Sequence, residues 1–256
     1  MAAFPLASRL RAGETVFSAW CSLASPLTAE IIAREGFTAV VLDAQHGLWD
    51  VESLIAGVGA LHHAGSTPVV RVPLEDFALV SRALDFGAEA IIAPMINSAA
   101  DAKNFASVAK YPPAGERSWG PQRAMTLQGR TSTLDYLREA NDGTLTLAMI
   151  ETPTALANVD AIATTPGIDA LFIGPYDLST SLSGGKAQDV AAPEVEKAID
   201  RICAAAAKAG KIPGIYCNGA ERARMMAKRG FKFITVGSDV GLLRDGAAAM
   251  LKALKS

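Results

Sequence analysis

Eight short runs rich in Val, Ile and Leu recur along the 256-residue chain, each followed by an Ala-rich amphipathic stretch, and this alternation limits the fold more than any other feature. The runs fall at 16–21, 39–43, 68–72, 90–94, 146–150, 170–174, 213–217 and 233–237. The helical patterns that follow occupy 28–35, 51–63, 77–86, 99–110, 154–163, 194–209, 220–228 and 241–254. Strands separated by helices must be joined by crossovers, which makes them parallel and covers both faces of the sheet. A chain of this length suits a large doubly wound sheet or a (β/α)8 barrel, and eight such units close the barrel. Gly36, Gly65, Gly87, Gly210 and Gly230 stand where helices end, as left-handed C-terminal turns require.

Two segments break the repeat. Residues 111–143, opening Tyr111-Pro112-Pro113-Ala114-Gly115, exceed a βα connection and predict an excursion with a short helix at 134–140. Residues 178–192, polar and glycine-containing, predict a mobile loop over a strand end. No linker or low-complexity tract divides the chain, so residues 1–256 read as one barrel domain.

Composition removes several function classes. Half the residues are hydrophobic and 20% are charged, which supplies a large core and excludes intrinsic disorder. The 24 basic and 26 acidic residues give a net charge of −2, and neither sign forms a run able to grip nucleic acid or an anionic membrane. The longest uncharged stretch, 53–70, has membrane-span length but contains Gly57, Gly59, His62, His63, Gly65 and Pro68, and reads as helix, turn and strand. The amino terminus lacks the basic start and apolar core of a secretory signal, so a cytoplasmic location is expected. Cys21, Cys203 and Cys217 are too scattered for a disulfide framework or a CxxC metal site and read as free buried thiols.

In a barrel of this kind chemistry gathers where strands end and the following loops begin. Those windows hold Trp20 and Cys21, Asp43 with Gln45 and His46, Arg71, Pro94, Glu151, Gly174 to Asp177, Cys217 with Asn218, and Ser238 with Asp239. Glu151 and Asp177 lie one strand–helix–strand unit apart, which brings two carboxylates to one rim. Two oxygen ligands without a His or Cys cluster favour Mg²⁺ or Mn²⁺ over structural zinc. The alternative is that Glu151 caps the helix after Pro153 while Asp177 caps a turn.

Arg71 ends an apolar strand and needs an anionic partner: a bound oxo-acid or developing enolate oxygen, or an ion pair with Glu75 or Asp43. His46, just past a strand and beside Gly47, is the best candidate base, although a lone histidine can equally be structural. His62 and His63 end a helix whose dipole favours their charged form, and read as surface or packing residues. Gly174-Pro175-Tyr176-Asp177 reads as a tight turn, either plain or aiming the Tyr176 and Asp177 amides at a bound carboxylate, with Pro175 stiffening it and Tyr176 walling the pocket.

Taken in order, Asp43-Ala44-Gln45-His46-Gly47, Arg71-Val72-Pro73, Leu84-Asp85-Phe86-Gly87-Ala88, Ile150-Glu151-Thr152 and Phe172-Ile173-Gly174-Pro175-Tyr176-Asp177-Leu178-Ser179 resemble the HpcH/HpaI aldolases over nearly the whole chain. The resemblance implies a class II carbon–carbon lyase that joins pyruvate or hydroxypyruvate to an aldehyde, or cleaves the product, through a metal-stabilised enolate. It implies that Glu151 and Asp177 hold Mg²⁺, Mn²⁺ or Co²⁺, that His46 is the base, that Arg71 stabilises the enolate, and that Asp85 raises the basicity of His46. Trp20, Arg71 and Gly174 to Asp177 would then line the substrate site. Asp85 falls at a helix end near the opposite rim, so a neighbouring subunit would supply it. That agrees with the family's homo-oligomers, often hexamers, which exchange the last helix between barrels. The chain departs from the family pattern at Gln45, where glutamate is common, at Met149, where glutamine is usual, and at Tyr176, where a small residue is usual.

Three further readings are set against this one. A Schiff-base aldolase needs a desolvated lysine on an inward strand, whereas Lys103, Lys110, Lys186 and Lys232 fall on helix, loop or strand-start positions. A citrate-lyase-related acyl-CoA lyase would use Arg117 and Arg123 of the excursion to bind an anionic tail. A non-catalytic barrel would merely sense 2-oxo acids.

Overall fold

The computed structural model describes residues 4–255. Its strands are β1 (Val16–Cys21), β2 (Ala39–Asp43), β3 (Thr67–Arg71), β4 (Ala90–Ala93), β5 (Leu145–Ile150), β6 (Ala170–Ile173), β7 (Ile212–Cys217) and β8 (Phe233–Val236). All eight pair in parallel in chain order, and β8 returns to β1 to close the barrel. The helices are α1 (Pro5–Arg11), α2 (Pro26–Arg34), α3 (Val51–His63), α4 (Phe77–Phe86), α5 (Ala99–Ala109), α6 (Gln122–Leu127), α7 (Thr133–Gly143), α8 (Pro153–Ala157), α9 (Val159–Ala163), α10 (Pro175–Leu182), α11 (Pro193–Lys208), α12 (Ala220–Lys228) and α13 (Asp239–Lys255).

Side-chain alternation along the strands divides the core in two. Val41, Val69, Ile92, Leu147, Met149, Phe172 and Phe233 fill the barrel interior. Their neighbours Val40, Leu42, Val70, Ile91, Ala148 and Leu171 face outward beneath the helices. Both faces are apolar, which is why the strands read as continuous hydrophobic runs. The interior cluster continues into Phe4, Leu6, Ala7 and Leu10 of the amino-terminal segment and Tyr136 and Ala140 of α7, which close the barrel floor.

The helix-terminal glycines Gly36, Gly65, Gly87, Gly210 and Gly230 all take positive φ, from 66 to 114°. Other elements differ from expectation. The stretch 154–163 is two helices, broken at Asn158. α7 begins earlier and ends later than 134–140, with Ser132 as its cap. Gly174-Pro175-Tyr176-Asp177 is not a tight turn: Gly174 caps α10 and Pro175 is its first residue, where a fixed φ and a missing N–H cost nothing. The helix runs to Leu182, so the predicted loop 178–192 is helical at its start.

Candidate active site

Inward parity, followed to the strand ends and one residue past β5 and β6, selects the residues at the carboxyl-terminal mouth. Trp20, Asp43, Arg71, Glu151 and Gly174 follow the interior positions of β1, β2, β3, β5 and β6, and line a cavity of about 320 Å³. His46 and Asp177 join them from the loop after β2 and the first turn of α10.

Asp43 organises one side. The Arg71 guanidinium donates to both its oxygens, Nε to Oδ1 at 2.8 Å and Nη2 to Oδ2 at 2.6 Å. The Trp20 indole N–H donates to Oδ2 at 3.3 Å, and Arg71 lies over the indole, 4.7 Å from its centroid. Burial works to raise the Asp43 carboxyl, but the Arg71 guanidinium and the Gln45 and His46 amides hold it below the usual carboxylate range. Those two amides, donating to Oδ1 at 3.0 and 3.3 Å, also fix the turn that carries His46 to the pocket edge. There His46 is solvent-exposed, and its ring has no hydrogen-bond partner among the described residues. Of the two partners weighed for Arg71, the structure therefore supplies Asp43; Glu75 is exposed.

Glu151 organises the other side. It is 2% exposed, and burial together with the Asp177 charge pushes its carboxyl up to about 7. The Met95 amide donates to Oε2 at 3.0 Å from a backbone with φ of 55°, a conformation unusual for methionine. A Cβ on Gly174 would stand 2.1 Å from Glu151 Oε1, so the carboxylate occupies space that only glycine leaves. Neither acid caps a helix: Thr152 caps α8, accepting from Ala155, and Gly174 is the cap of α10.

With Asp43 paired to Arg71, Glu151 and Asp177 remain as two carboxyl groups with no cationic side-chain partner among the described residues. An all-oxygen pair of this kind fits a hard divalent ion that takes its other ligands from substrate and water. No group of three or more His, Cys, Asp or Glu able to hold a metal occurs among the described residues.

Asp85 does not line this cavity. It sits at the end of α4 that leads into β4, where Arg117 Nη2 donates to its Oδ1 at 2.6 Å. Arg117 is buried and lies 4.5 Å from the Tyr111 ring centroid, while Arg123 donates to the Ile55 carbonyl. Lys110 is buried too, but Asn141, Thr144 and Asp169 bind its ammonium, and none of these residues lines the cavity. His62 also departs from expectation: burial lowers its pKa, opposing the helix dipole, and Nε2 bonds the Gly87 carbonyl. Cys21 and Cys217 face the helices, and burial pushes the Cys217 thiol up to about 12. Cys203 is half-buried. Parity selects Tyr216 in place of Cys217, and Tyr216, Phe172, Met149, Pro175, Tyr176, Ser22 and Ser238 complete the lining.

A model of the HpcH/HpaI aldolase/citrate lyase family matches residues 17–246. A hydroxypyruvate/pyruvate aldolase of Rhizorhabdus wittichii is 38% identical over 239 residues, covering 93% of this chain and 94% of its own. A 5-keto-4-deoxy-D-glucarate aldolase of Klebsiella pneumoniae is 35% identical over 246 residues, covering 96% and 94%. Among solved structures, an HpcH/HpaI aldolase/citrate lyase family protein of Burkholderia cenocepacia superposes with a TM-score of 0.89 at 34% identity, covering 98% of this chain and 99% of that one.

Proposed function

Because the chain belongs to the HpcH/HpaI aldolase/citrate lyase family, we propose that it is a divalent-metal aldolase joining a 2-oxo acid, pyruvate or hydroxypyruvate, to an aldehyde, and cleaving the 4-hydroxy-2-oxo acid in reverse. One observation carries this reading: two acids, Glu151 and Asp177, share a cavity with a buried guanidinium and an imidazole, and neither the acids nor the imidazole has a side-chain ion pair among the described residues. Relatives called hydroxypyruvate/pyruvate aldolases support the choice of donor.

Glu151 and Asp177 would hold Mg²⁺, Mn²⁺ or Co²⁺, and such an ion, when bound, polarises a keto group and acidifies the hydrogens on C3. His46 accepts the C3 proton. Arg71, its plane fixed by Asp43, stabilises the negative charge that develops on the keto oxygen. C3 then forms a bond to the aldehyde carbon as the aldehyde C=O π bond opens, and the resulting alkoxide takes back the proton held by His46. Trp20 and the Gly174–Asp177 segment bound the substrate on the remaining sides. Because the His46 ring lacks a partner among the described residues, the carboxylate that raises its basicity is assigned to Asp85 of a neighbouring copy, which the Arg117 contact holds at a helix end. A homo-oligomer, with a hexamer and last-helix exchange as its expected form, is supported by the exposed Leu242, Leu243, Met250, Leu251 and Leu254 of α13.

Of the two arginines that the acyl-CoA lyase reading would use, Arg117 is buried against Asp85 and Tyr111, while Arg123 is exposed and donates to the Ile55 carbonyl. The test is exchange of deuterium into pyruvate C3 by chelator-stripped enzyme, with and without added Mg²⁺, Mn²⁺ or Co²⁺. Metal-dependent exchange, abolished by His46→Ala and at least tenfold weaker in Glu151→Gln or Asp177→Asn, is expected. Exchange that survives chelation, or no exchange at all, overturns the proposal.

A further inference from the structure

An aromatic ladder climbs one side of the barrel. Phe233 packs on Phe172 at 6.1 Å between centroids, Phe172 stacks on Trp20 at 6.3 Å, Trp20 meets Tyr216 edge-on at 5.5 Å, and Tyr216 meets Tyr176 edge-on at 6.1 Å. The lower rungs are fixed: Phe172 and Phe233 are fully buried, and Asp43 accepts the Trp20 N–H. The upper rungs are half-buried, and neither phenol oxygen has a protein partner among the described residues. Tyr176 immediately precedes Asp177, so the top of the ladder borders the carboxylate pair.

The charges in the cavity complete the picture. Its lining has one guanidinium, Arg71, committed to Asp43, and its other acidic side chains are Glu151 and Asp177. An acceptor bearing its own carboxylate would find no uncommitted guanidinium or ammonium among the lining residues. A flat apolar ring would meet aromatic faces and edges.

Building on the aldolase reading, we propose that the pocket has an acceptor subsite for uncharged aldehydes with an aromatic group, walled by Trp20, Tyr176 and Tyr216. The full-length enzyme in its native assembly would be assayed for carbon–carbon bond formation from pyruvate with Mn²⁺. Acceptors are benzaldehyde, glyceraldehyde and succinic semialdehyde. Expected is a higher kcat/KM for benzaldehyde than for succinic semialdehyde. The benzaldehyde-to-glyceraldehyde ratio should fall about tenfold in both Tyr176→Ala and Tyr216→Ser, the scale of one lost aromatic contact.

Preference for the carboxylated aldehyde, as a cation from a neighbouring copy would produce, overturns the proposal, and so does a ratio that neither variant moves. A second readout needs no turnover. Saturation-transfer NMR on metal-free protein should show benzyl alcohol ring contact that the double variant loses, and equal transfer in both proteins also overturns it. Deuterium exchange into pyruvate by the wild-type enzyme separates the two levels: exchange without aromatic preference sinks only the acceptor class, whereas no exchange sinks the aldolase reading beneath it.

Discussion

Gly174 shows how closely the site is fitted at the scale of one atom. A methyl group there would meet Glu151 Oε1 at 2.1 Å and the Met149 terminal methyl at 3.0 Å. Gly174→Ala should therefore displace the carboxylate, lowering kcat/KM and weakening Mn²⁺ affinity at least tenfold by calorimetry, with unchanged far-UV circular dichroism. Glu89, at the foot of β4, offers a separate test of burial. It is 3% exposed, Oε2 has no partner among the described residues, and burial pushes its carboxyl from 4.5 up to about 7. The folded state thus holds this proton more tightly than the unfolded chain, so its contribution to stability is full below pH 4.5 and is lost as pH rises through 7. Glu89→Gln should stabilise the protein at pH 8 by up to about 3 kcal/mol and leave it nearly unchanged at pH 4, read from denaturant midpoints. Much at this scale was legible, because an arginine or acid that ends an apolar strand has few destinations. The Met95 contribution was not, since nothing in its residue type announces a left-handed backbone. Tyr216 was accessible through alternation alone, had the phase of β7 been followed one residue back from Cys217.

At the scale of elements, the strands were legible because both of their faces are buried, which leaves a run of Val, Ile and Leu with sharp polar ends. α1 and α6 were not. α1 has seven residues and two arginines, and it folds by seating Leu6, Ala7 and Leu10 against the barrel floor, a contact no local pattern encodes. Gly-Pro at 174–175 is locally ambiguous, since a turn and a helix start make the same demand on proline. The α3 packing gives a direct test of element fit. A Cβ on Gly57 would lie 2.5 Å from the Trp49 ring and 3.0 Å from a Leu42 methyl. Gly57→Ala should destabilise by about 1–3 kcal/mol through overpacking, despite the better helix propensity of alanine, and lower Tm accordingly.

At the scale of the whole molecule, α13 is the outlier: of its 17 residues only Asp239 is buried, and large apolar side chains lie open along it. Introducing charge through Leu243→Glu with Leu251→Glu should break the proposed assembly, giving a lower mass by light scattering and a loss of pyruvate exchange with the barrel still folded. The sequence shows the amphipathic stretch, but a single chain does not specify what covers it, which is why the assembly entered through family resemblance alone. Asp239 gives this helix a second role. Its carboxylate accepts the amides of Ser22 and Leu23, each at 2.9 Å, and so ties the root of α13 to the loop that follows Trp20. Ser22 and Ser238 both border the cavity. In the proposed assembly a pull on the final helix would reach the rim through these bonds, so dilution that dissociates it should slacken the cavity mouth before any secondary structure melts.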